Sequence, residues 1–513
     1  MNAYKTVIVD CYTDEPSGYG VRPYMGTHQI HLSQALEYLK IPHTYLTIED
    51  LRYSSGNFKS DGSNTNLHIL NRTRNAENAK EILQAADTIY LIMGCFVNYQ
   101  YFSSVPPESD EVYEYLKDTQ AKKILFYVMG TKDGISDEFQ KSKLKPILTE
   151  YEHGNTYRYV LEKAAATDIS LDKVTDLLKP NYGLLAKISE CDAPIINQLR
   201  YPIIAEIETG TGCNTPTCTF CIESVRSPKV TYREPEDIIK QVATLYRQGV
   251  RHFRLGRQPN FYHFHKQDVS KMEALLYGIR ASCPDIETLH VDNVNMINVL
   301  SQQGIEITQL IVKYCTSGNI TPFGIESFDR EVRKQNRVTG TPEEVLRAIE
   351  IINKYGQEKG ADGNPKLLPG VNLIHNLNGH NEKTHEINLK HLETILNNGW
   401  QTQRLYYRNM TRPTGVSFEK NDTSYSNYDQ CFKDITDSYV LPMQQKLYLN
   451  EPTIIRDMRE VVVKGGNSYL RTLGTCPIRV EVQGKELIPY NSYDVKITEN
   501  LGYRLLRGEV LNA

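Results

Sequence analysis

IIAEIETGTGCNTPTCTFCIE, residues 203–223, decides how this chain is read. The run Ile203–Ile207 is short, apolar and followed by a glycine-rich loop, which is the pattern of a buried strand. Directly after it come three cysteines within nine residues, Cys213, Cys218 and Cys221; the other seven, at 11, 95, 191, 283, 315, 431 and 476, stand alone. Thiolates spaced Cys-x4-Cys-x2-Cys, without a fourth cysteine or a histidine close by, hold three irons of a four-iron cluster and leave the fourth open to another ligand. Two other readings stay open on spacing alone. A structural zinc site takes four closed ligands, often as two Cys-x2-Cys pairs, and here the nearest histidine is the distant His252. Three ordinary buried thiols are the remaining reading, and their crowding into one loop weighs against it.

Downstream, strand and helix patterns alternate over about 240 residues. Candidate strands are Ile203–Ile207, His252–Leu255, Thr288–Val291, Ile311–Tyr314, Phe323–Ile325, Gly370–Ile374 and Arg404–Tyr407, with helical stretches Pro235–Gln248, Pro342–Lys354 and Glu386–Asn397 among them. This predicts a full or partial α/β barrel, whose chemistry sits at the carboxyl ends of its strands. The cysteine loop begins at such an end.

Upstream, Thr6–Asp10, Thr44–Ile48, Thr88–Phe96 and Lys123–Gly130 read as strands, separated by helices at His28–Leu39, Ala76–Ala86 and Pro107–Asp118 and by a polar loop at Ser54–Asn66. Strand–helix alternation of this kind implies a parallel sheet in a Rossmann-like domain. Residues 131–198 carry no clear pattern beyond a connection. The last 70 or so residues, with VVVKGG, TCPIRVEVQG and YDVKITENLGYRLLRGEV, alternate β-formers with turn residues and predict a small β-rich domain. The expected organisation is therefore α/β: a Rossmann-like domain with its connecting region over 1–190, a barrel over 195–440 and a β-rich domain over 441–513.

A chain of 513 residues has room for such a division. A net charge of −4 gives no sign of a general polyanion-binding surface. The start, MNAYKTVIVD, lacks the features of a secretory signal and no apolar run approaches a membrane span, so a cytoplasmic protein without a membrane partner is expected. Ten scattered cysteines do not make a disulfide scaffold. No Walker loop, Gly-x-Ser-x-Gly elbow or His-Glu-x-x-His is present.

The aromatic in Cys218-Thr-Phe220-Cys221, together with GVRHFRLGRQPN, LHVDNVN, TPFGIESFDREVRKQNR and KLLPGVNLIHNLNGHNEKTHE in that order, resembles the radical S-adenosylmethionine (SAM) enzymes. Their usual signature is Cys-x3-Cys-x-aromatic-Cys; here one residue is inserted before Cys218. The likeness covers most of the chain and points to a radical SAM family whose members often carry a C-terminal helix-hairpin-helix, an element not expected here. The resemblance implies a 4Fe-4S cluster on Cys213, Cys218 and Cys221, with the open iron binding the amino and carboxylate groups of SAM. It also implies that Phe220 flanks the adenine, that Gly256 and Arg257 stand where a Gly-Gly-Glu stretch receives the SAM amino group, and that Glu326 and Ser327 contact SAM or its ribose. Arg257 cannot accept a hydrogen bond as glutamate does, although backbone carbonyls there can. For Glu326 and Ser327 the plain alternative is strand-end solubility or capping. Where relatives read Leu-Pro-Gly-Glu-Thr, this chain has Leu377-Asn-Gly-His-Asn381, in which Gly379 can still take a positive φ.

In position, the N-terminal domain resembles the cobalamin-binding domain of methyl-transferring radical SAM enzymes. It equally resembles that of methylthiotransferases, which holds a second cluster; Cys11, Cys95 and Cys191 are the only candidates for one. Tyr19–Tyr24 and Gly94–Asn98 follow strands, where such domains bind ligands, and are otherwise ordinary turns. His263 and His265 have metal-like spacing but fit an aromatic strand end or loop better. The 34 tyrosines read as amphipathic packing residues.

The expected activity is reductive SAM cleavage followed by methyl or sulfur-group transfer, or another carbon-centred change, on a small-molecule, peptide or RNA substrate. An electron donor such as flavodoxin or ferredoxin is the expected partner. The alternative is a zinc-dependent, non-catalytic nucleic-acid-binding protein.

Overall fold

The apolar run at Thr6 opens β1 (Thr6–Glu15), which is longer than its sequence pattern. In the computed structural model, residues 5–15, 18–56, 70–95, 101–128, 137–152, 154–164, 177, 179–223, 227, 229–410 and 427–511 are described. Most of the loop Ser54–Asn66, Phe96 in the first-domain strand pattern and Met129–Gly130 at the end of another lie outside the described residues.

β1 is flanked by parallel β3 (His43–Thr47) and β4 (Thr88–Cys95), and the sheet continues in parallel through β5 (Lys122–Tyr127) and β6 (Glu150–Glu152). β2 (Gly18–Gly20) folds back antiparallel on the end of β1. The strand order β3-β1-β4-β5-β6 is that of a doubly wound sheet, whose ligands lie beyond the carboxyl edge. Val7, Val9, Leu46, Leu91 and Leu125 fill its core. Midway along β1, the Asp10 carboxylate is spent on Arg22 at 2.8 Å, Tyr45 at 2.6 Å and Gln29 at 2.9 Å, all buried. A buried ion pair survives only when hydrogen bonds satisfy it in this way. Arg22 of the Tyr19–Tyr24 stretch is thus a packing element of the sheet.

The chain divides into two compact units, Met1–Thr211 with Arg233–Phe253 and Ala281–Ile286, and Gly212–Tyr232 with Arg254–Arg280 and Glu287–Ala513. The first also contains β7 (Ile204–Glu208), which is not part of that sheet, and the helix Pro235–Arg247. The buried Arg233 ties these together, donating to the carbonyl of Glu208 at 3.0 Å, to Gln241 at 2.6 Å and to Ser189 at 2.9 Å.

In the second unit, β10 (Asn319–Glu326), β11 (Leu367–His375) and β12 (Arg404–Asn409) pair in parallel. β8 (His252–Gly256) and β9 (Thr288–Val291) lie where the sequence places them. One expectation is corrected. Ile311–Tyr314 ends the helix Gln302–Tyr314 and is not a strand. Its apolar run is the tail of a helical stripe, since Gly304, Ile307, Thr308 and Ile311 are the buried positions and recur at helical spacing. Ser301 caps this helix by accepting from the Gly304 N–H at 3.0 Å.

The C-terminal segment is a closed five-stranded barrel in the order β13 (Ile454–Lys464), β14 (Asn467–Thr472), β15 (Arg479–Val482), β17 (Leu505–Val510) and β16 (Tyr493–Gly502). Gly465 and Gly466, with φ of +58° and +76°, make the two-residue hairpin turn that a right-handed strand twist favours. Just after β14, Thr475 donates from its N–H and bonds through its hydroxyl to His290 Nδ1 on β9, at 3.0 and 2.9 Å. Among the described residues, no helix is long and apolar enough to cross a membrane.

Candidate active site

The cysteine loop is shaped first by its backbone. Gly212 has φ +86°, and a Cβ there would lie 2.2 Å from the Lys229 carbonyl oxygen, so the loop turns where only glycine fits. From that turn the loop is pinned along its length. Asn214 accepts from Asn260 at 2.9 Å, and Thr215 accepts from Asn295 at 3.1 Å. Further on, the Thr217 hydroxyl donates to the Arg337 carbonyl at 3.1 Å and the Thr219 N–H to the Asn336 carbonyl at 3.2 Å.

All three cysteines are partly exposed, and none is in a disulfide. The Cys213 sulfur accepts from the Thr215 N–H at 3.4 Å, and Cys218 Sγ lies 3.8 Å from the Arg337 carbonyl. Burial pushes the Cys218 thiol up to about 12, with Glu326 and Cys213 adding to the rise and Arg333 opposing it. Burial also raises Cys221, with Glu223 and then Cys218 and Cys213 contributing. The cysteines therefore share one electrostatic neighbourhood, in which thiolates need a cationic centre to form. Among the described residues, no three His, Cys, Asp or Glu side chains converge tightly enough for a single metal ion. Three thiols in one loop are the donor set of a cluster with one open iron, whereas closed structural zinc takes four ligands.

Phe220 packs with Ile222 and Met410 beside the cysteines. Glu326 comes to the same place by a backbone device. The register of β10 against β11 slips between Gly324 and Glu326, and Glu326 takes φ +62°. This bulge re-aims its side chain. The carboxylate folds over Gly324, where a Cβ would lie 2.7 Å from Oε1. Burial pushes Glu326 up to about 7, against Arg333 and Arg408. Ser327 is buried differently, with its hydroxyl 3.4 Å from Asn388 and accepting from the Asp329 N–H at 3.1 Å, the capping arrangement.

Gly256 is buried at the end of β8, and Arg257 follows in the left-handed region at φ +67°, its guanidinium lowered to about 10 by burial. In the altered turn at 377–381, Gly379 does have a positive φ, +83°, which seats it against the Gln335 amide. His263 and His265 occupy a kinked turn, Phe261–Lys266, and pack against Tyr232. In the first domain, burial raises Cys11 and Cys95, and Cys11 adds to the rise at Cys95, whereas Cys191 has Lys40 and Glu37 among its charged neighbours. Of Gly94–Asn98, residues 96–98 lie outside the described residues.

Four residues that shape this site carried no motif of their own. Arg333 donates to the carbonyls of Ile325 at 2.6 Å, Ser327 at 3.0 Å and Gly340 at 2.9 Å, fixing the strand end that presents Glu326. Asn336 joins the cysteine loop to the 377–381 turn, donating to the Asn378 carbonyl at 2.9 Å. Asn260 and Asn295 hold the first half of the loop and bond to each other at 3.1 Å. The only sequence signal for them was their place inside segments with a family likeness.

A family model described as the Radical SAM superfamily matches residues 207–388. An uncharacterised protein of Methanocaldococcus jannaschii is 30% identical over 536 aligned residues, spanning 99% of this chain and 93% of that protein. One from Archaeoglobus fulgidus is also 30% identical, over 96% of this chain and 88% of its own length. Among solved structures, the radical SAM methyltransferase TsrM from Kitasatospora setae, with tryptophan and a SAM analogue bound, is similar with a TM-score of 0.50 at 12% identity, over 78% of this chain and 72% of that one. The cobalamin-dependent SAM radical enzyme OxsB is similar with a TM-score of 0.52 at 13% identity, and the chain spans 55% of its length.

Proposed function

Since the chain belongs to the radical SAM superfamily, whose enzymes use a 4Fe-4S cluster and SAM, we propose that Cys213, Cys218 and Cys221 hold that cluster and that the enzyme transfers a methyl group. When bound, the cluster supplies an electron and the open iron at which SAM is cleaved to start radical chemistry. The rest is the work of this chain. Gly212, Asn260, Asn295 and Asn336 fix the loop that would present the three thiols to the cluster. Phe220, Ile222 and Met410 give that loop an apolar wall that excludes water. Arg333 holds the bulged strand end, and Glu326 is the acceptor this end presents for a polar group of SAM. Phe220 is assigned to the adenine, and the backbone at Gly256–Arg257 to the SAM ammonium. Ser327, whose hydroxyl is committed to Asn388 and Asp329, acts as a positioning residue.

The observation that carries this reading is the loop itself, three cysteines pinned together beside a buried glutamate at a strand end. Methyl transfer is supported by the parallel N-terminal sheet and by the fold likeness to TsrM and OxsB. The same likeness supports cobalamin as a second cofactor at the carboxyl edge of that sheet. There, Gly94, next to last in β4, takes φ +131° opposite Thr13 and adds no side chain at that position. Radical enzymes of this kind take electrons from a donor such as flavodoxin or ferredoxin.

Anaerobic purification with reconstitution tests the assignment. Iron and sulfide in cluster proportion, lost when any of the three cysteines becomes alanine, is the expected result. A colourless protein carrying one zinc and no iron would overturn it and favour the nucleic-acid-binding alternative. Cobalt in the same analysis bears on cobalamin.

A further inference from the structure

The last strand of the parallel sheet carries an unusual charge pattern. On β12, Leu405 and Tyr407 are buried, and Tyr407 stacks on Tyr428 of the following helix, with centroids 5.4 Å apart. The opposite face bears Arg404, Tyr406 and Arg408. Arg504, from the turn between β16 and β17, joins them. The guanidinium carbons of Arg404, Arg408 and Arg504 lie 4.5, 4.7 and 3.9 Å from the centre of the Tyr406 ring.

Ring contacts do not settle this much charge. Arg404 is only 6% exposed, and its Nε is buried without a hydrogen-bond partner. Arg504 gives one nitrogen to the Leu405 carbonyl at 2.6 Å, while its Nε too is buried without a partner. Of the carboxylates that bear on the cluster, Asp292 is engaged by Arg254, and burial raises Glu326 to about 7. Among the described residues neither Arg404 nor Arg504 makes an ion pair; a buried guanidinium without one is costly, and the planar fork of arginine is suited to carboxylate and phosphate oxygens. Burial alone would raise the Tyr406 phenol, yet Arg504, Arg404 and Arg408 bring it down to about 7. The same positive field favours an oxyanion beside the ring.

The cluster lies in line with the proposed active site. Tyr406 is in register with Asn372, and Asn372 with Gly324, over which the Glu326 carboxylate folds. We infer that Arg404, Arg408 and Arg504 form a subsite for an oxyanion of the substrate, a carboxylate or phosphate, and so orient it beside the cysteine loop. The inference rests on the proposed radical SAM reading for its word substrate, but the subsite stands on its own charges.

The test is a calorimetric titration of the anaerobic, cluster-loaded protein, without turnover, using inorganic phosphate and succinate in separate arms. Saturable binding in one arm is expected and names the oxyanion. It should fall about tenfold or more in R404M and in R504M, the loss of a hydrogen bond to a charged group. Because a variant can misfold, the phenolate ultraviolet band is followed as well. The bound anion should suppress that band in the wild type and produce no such change in Y406F. Binding that survives unchanged in R404M/R504M, or no saturable binding in either arm, overturns the inference. So does competition between SAM and phosphate, which would assign the arginines to the SAM carboxylate. Retained SAM cleavage without anion binding sinks this subsite alone; anion binding without cleavage sinks only the radical SAM reading.

Discussion

Gly324 and Glu326 show how one atom position governs the proposed site. A methyl group on Gly324 would lie 2.7 Å from Glu326 Oε1, so G324A should move the carboxylate while leaving the strand paired. The expected outcome is a stability loss of about 1–3 kcal/mol, typical of overpacking, with a larger proportional loss of SAM affinity. Equal losses in denaturant unfolding and SAM titration would mean that the carboxylate has only a packing role. For the cysteines the expectation is sharper. Alanine at 213, 218 or 221 should abolish the brown cluster absorption and leave the circular dichroism spectrum close to wild type, because all three sit in a loop. A variant that keeps full absorption removes that cysteine from the ligand set. The clustering of Cys213, Cys218 and Cys221 was visible in their spacing, which left open what they hold. Arg333 and Asn336 were not, because an arginine or asparagine that bonds backbone carbonyls leaves no pattern in sequence.

At the scale of elements, two contacts hold strand ends in place and each has a measurable consequence. Arg333 makes charge-assisted bonds to the carbonyls of Ile325, Ser327 and Gly340. R333M should therefore cost about 3 kcal/mol or more in denaturant unfolding, well above the cost of an exposed arginine, and a loss under about 0.5 kcal/mol would show the strand end to be held by other means. His290 joins β9 to the segment after β14. It bonds through Nε2 to the Ser317 carbonyl at 2.9 Å, while Nδ1 accepts from the Thr475 N–H. This arrangement needs the neutral ring, and burial lowers the imidazole to about 4. The unfolded chain takes up a proton near 6.5 that the folded chain refuses until about 4, so the contribution of His290 is complete above pH 6.5 and shrinks as pH falls toward 4. Between pH 7 and 5 it should amount to about 2 kcal/mol, and H290N should flatten that part of the stability profile. An identical profile in wild type and variant would contradict this role. The same scale shows where sequence patterns mislead. Ile311–Tyr314 looks like a short apolar strand, but its buried positions belong to a stripe that begins at Gly304, and a four-residue window cannot distinguish the two periods.

For the molecule as a whole, the N-terminal parallel sheet, the strand–helix alternation after the cysteines and the β-rich end were all legible, since each rests on a periodicity that spans many residues. The closure of that end into a five-stranded barrel was not, because β15 and β17 pair in parallel across 22 intervening residues. Long-range pairing of that kind leaves no local mark. The cationic face of β12 was also hidden, because Arg404 and Arg408 belong to one strand whereas Arg504 arrives about 100 residues later and meets them only in the fold. The central claim is that the pinned cysteine loop supports reductive SAM cleavage. Its most direct test is anaerobic incubation of the cluster-loaded protein with SAM and dithionite, followed by quantitation of 5′-deoxyadenosine and methionine. Both products from the wild type, and neither from the C213A/C218A/C221A variant, is the predicted result; intact SAM after incubation with a fully loaded cluster would contradict the account.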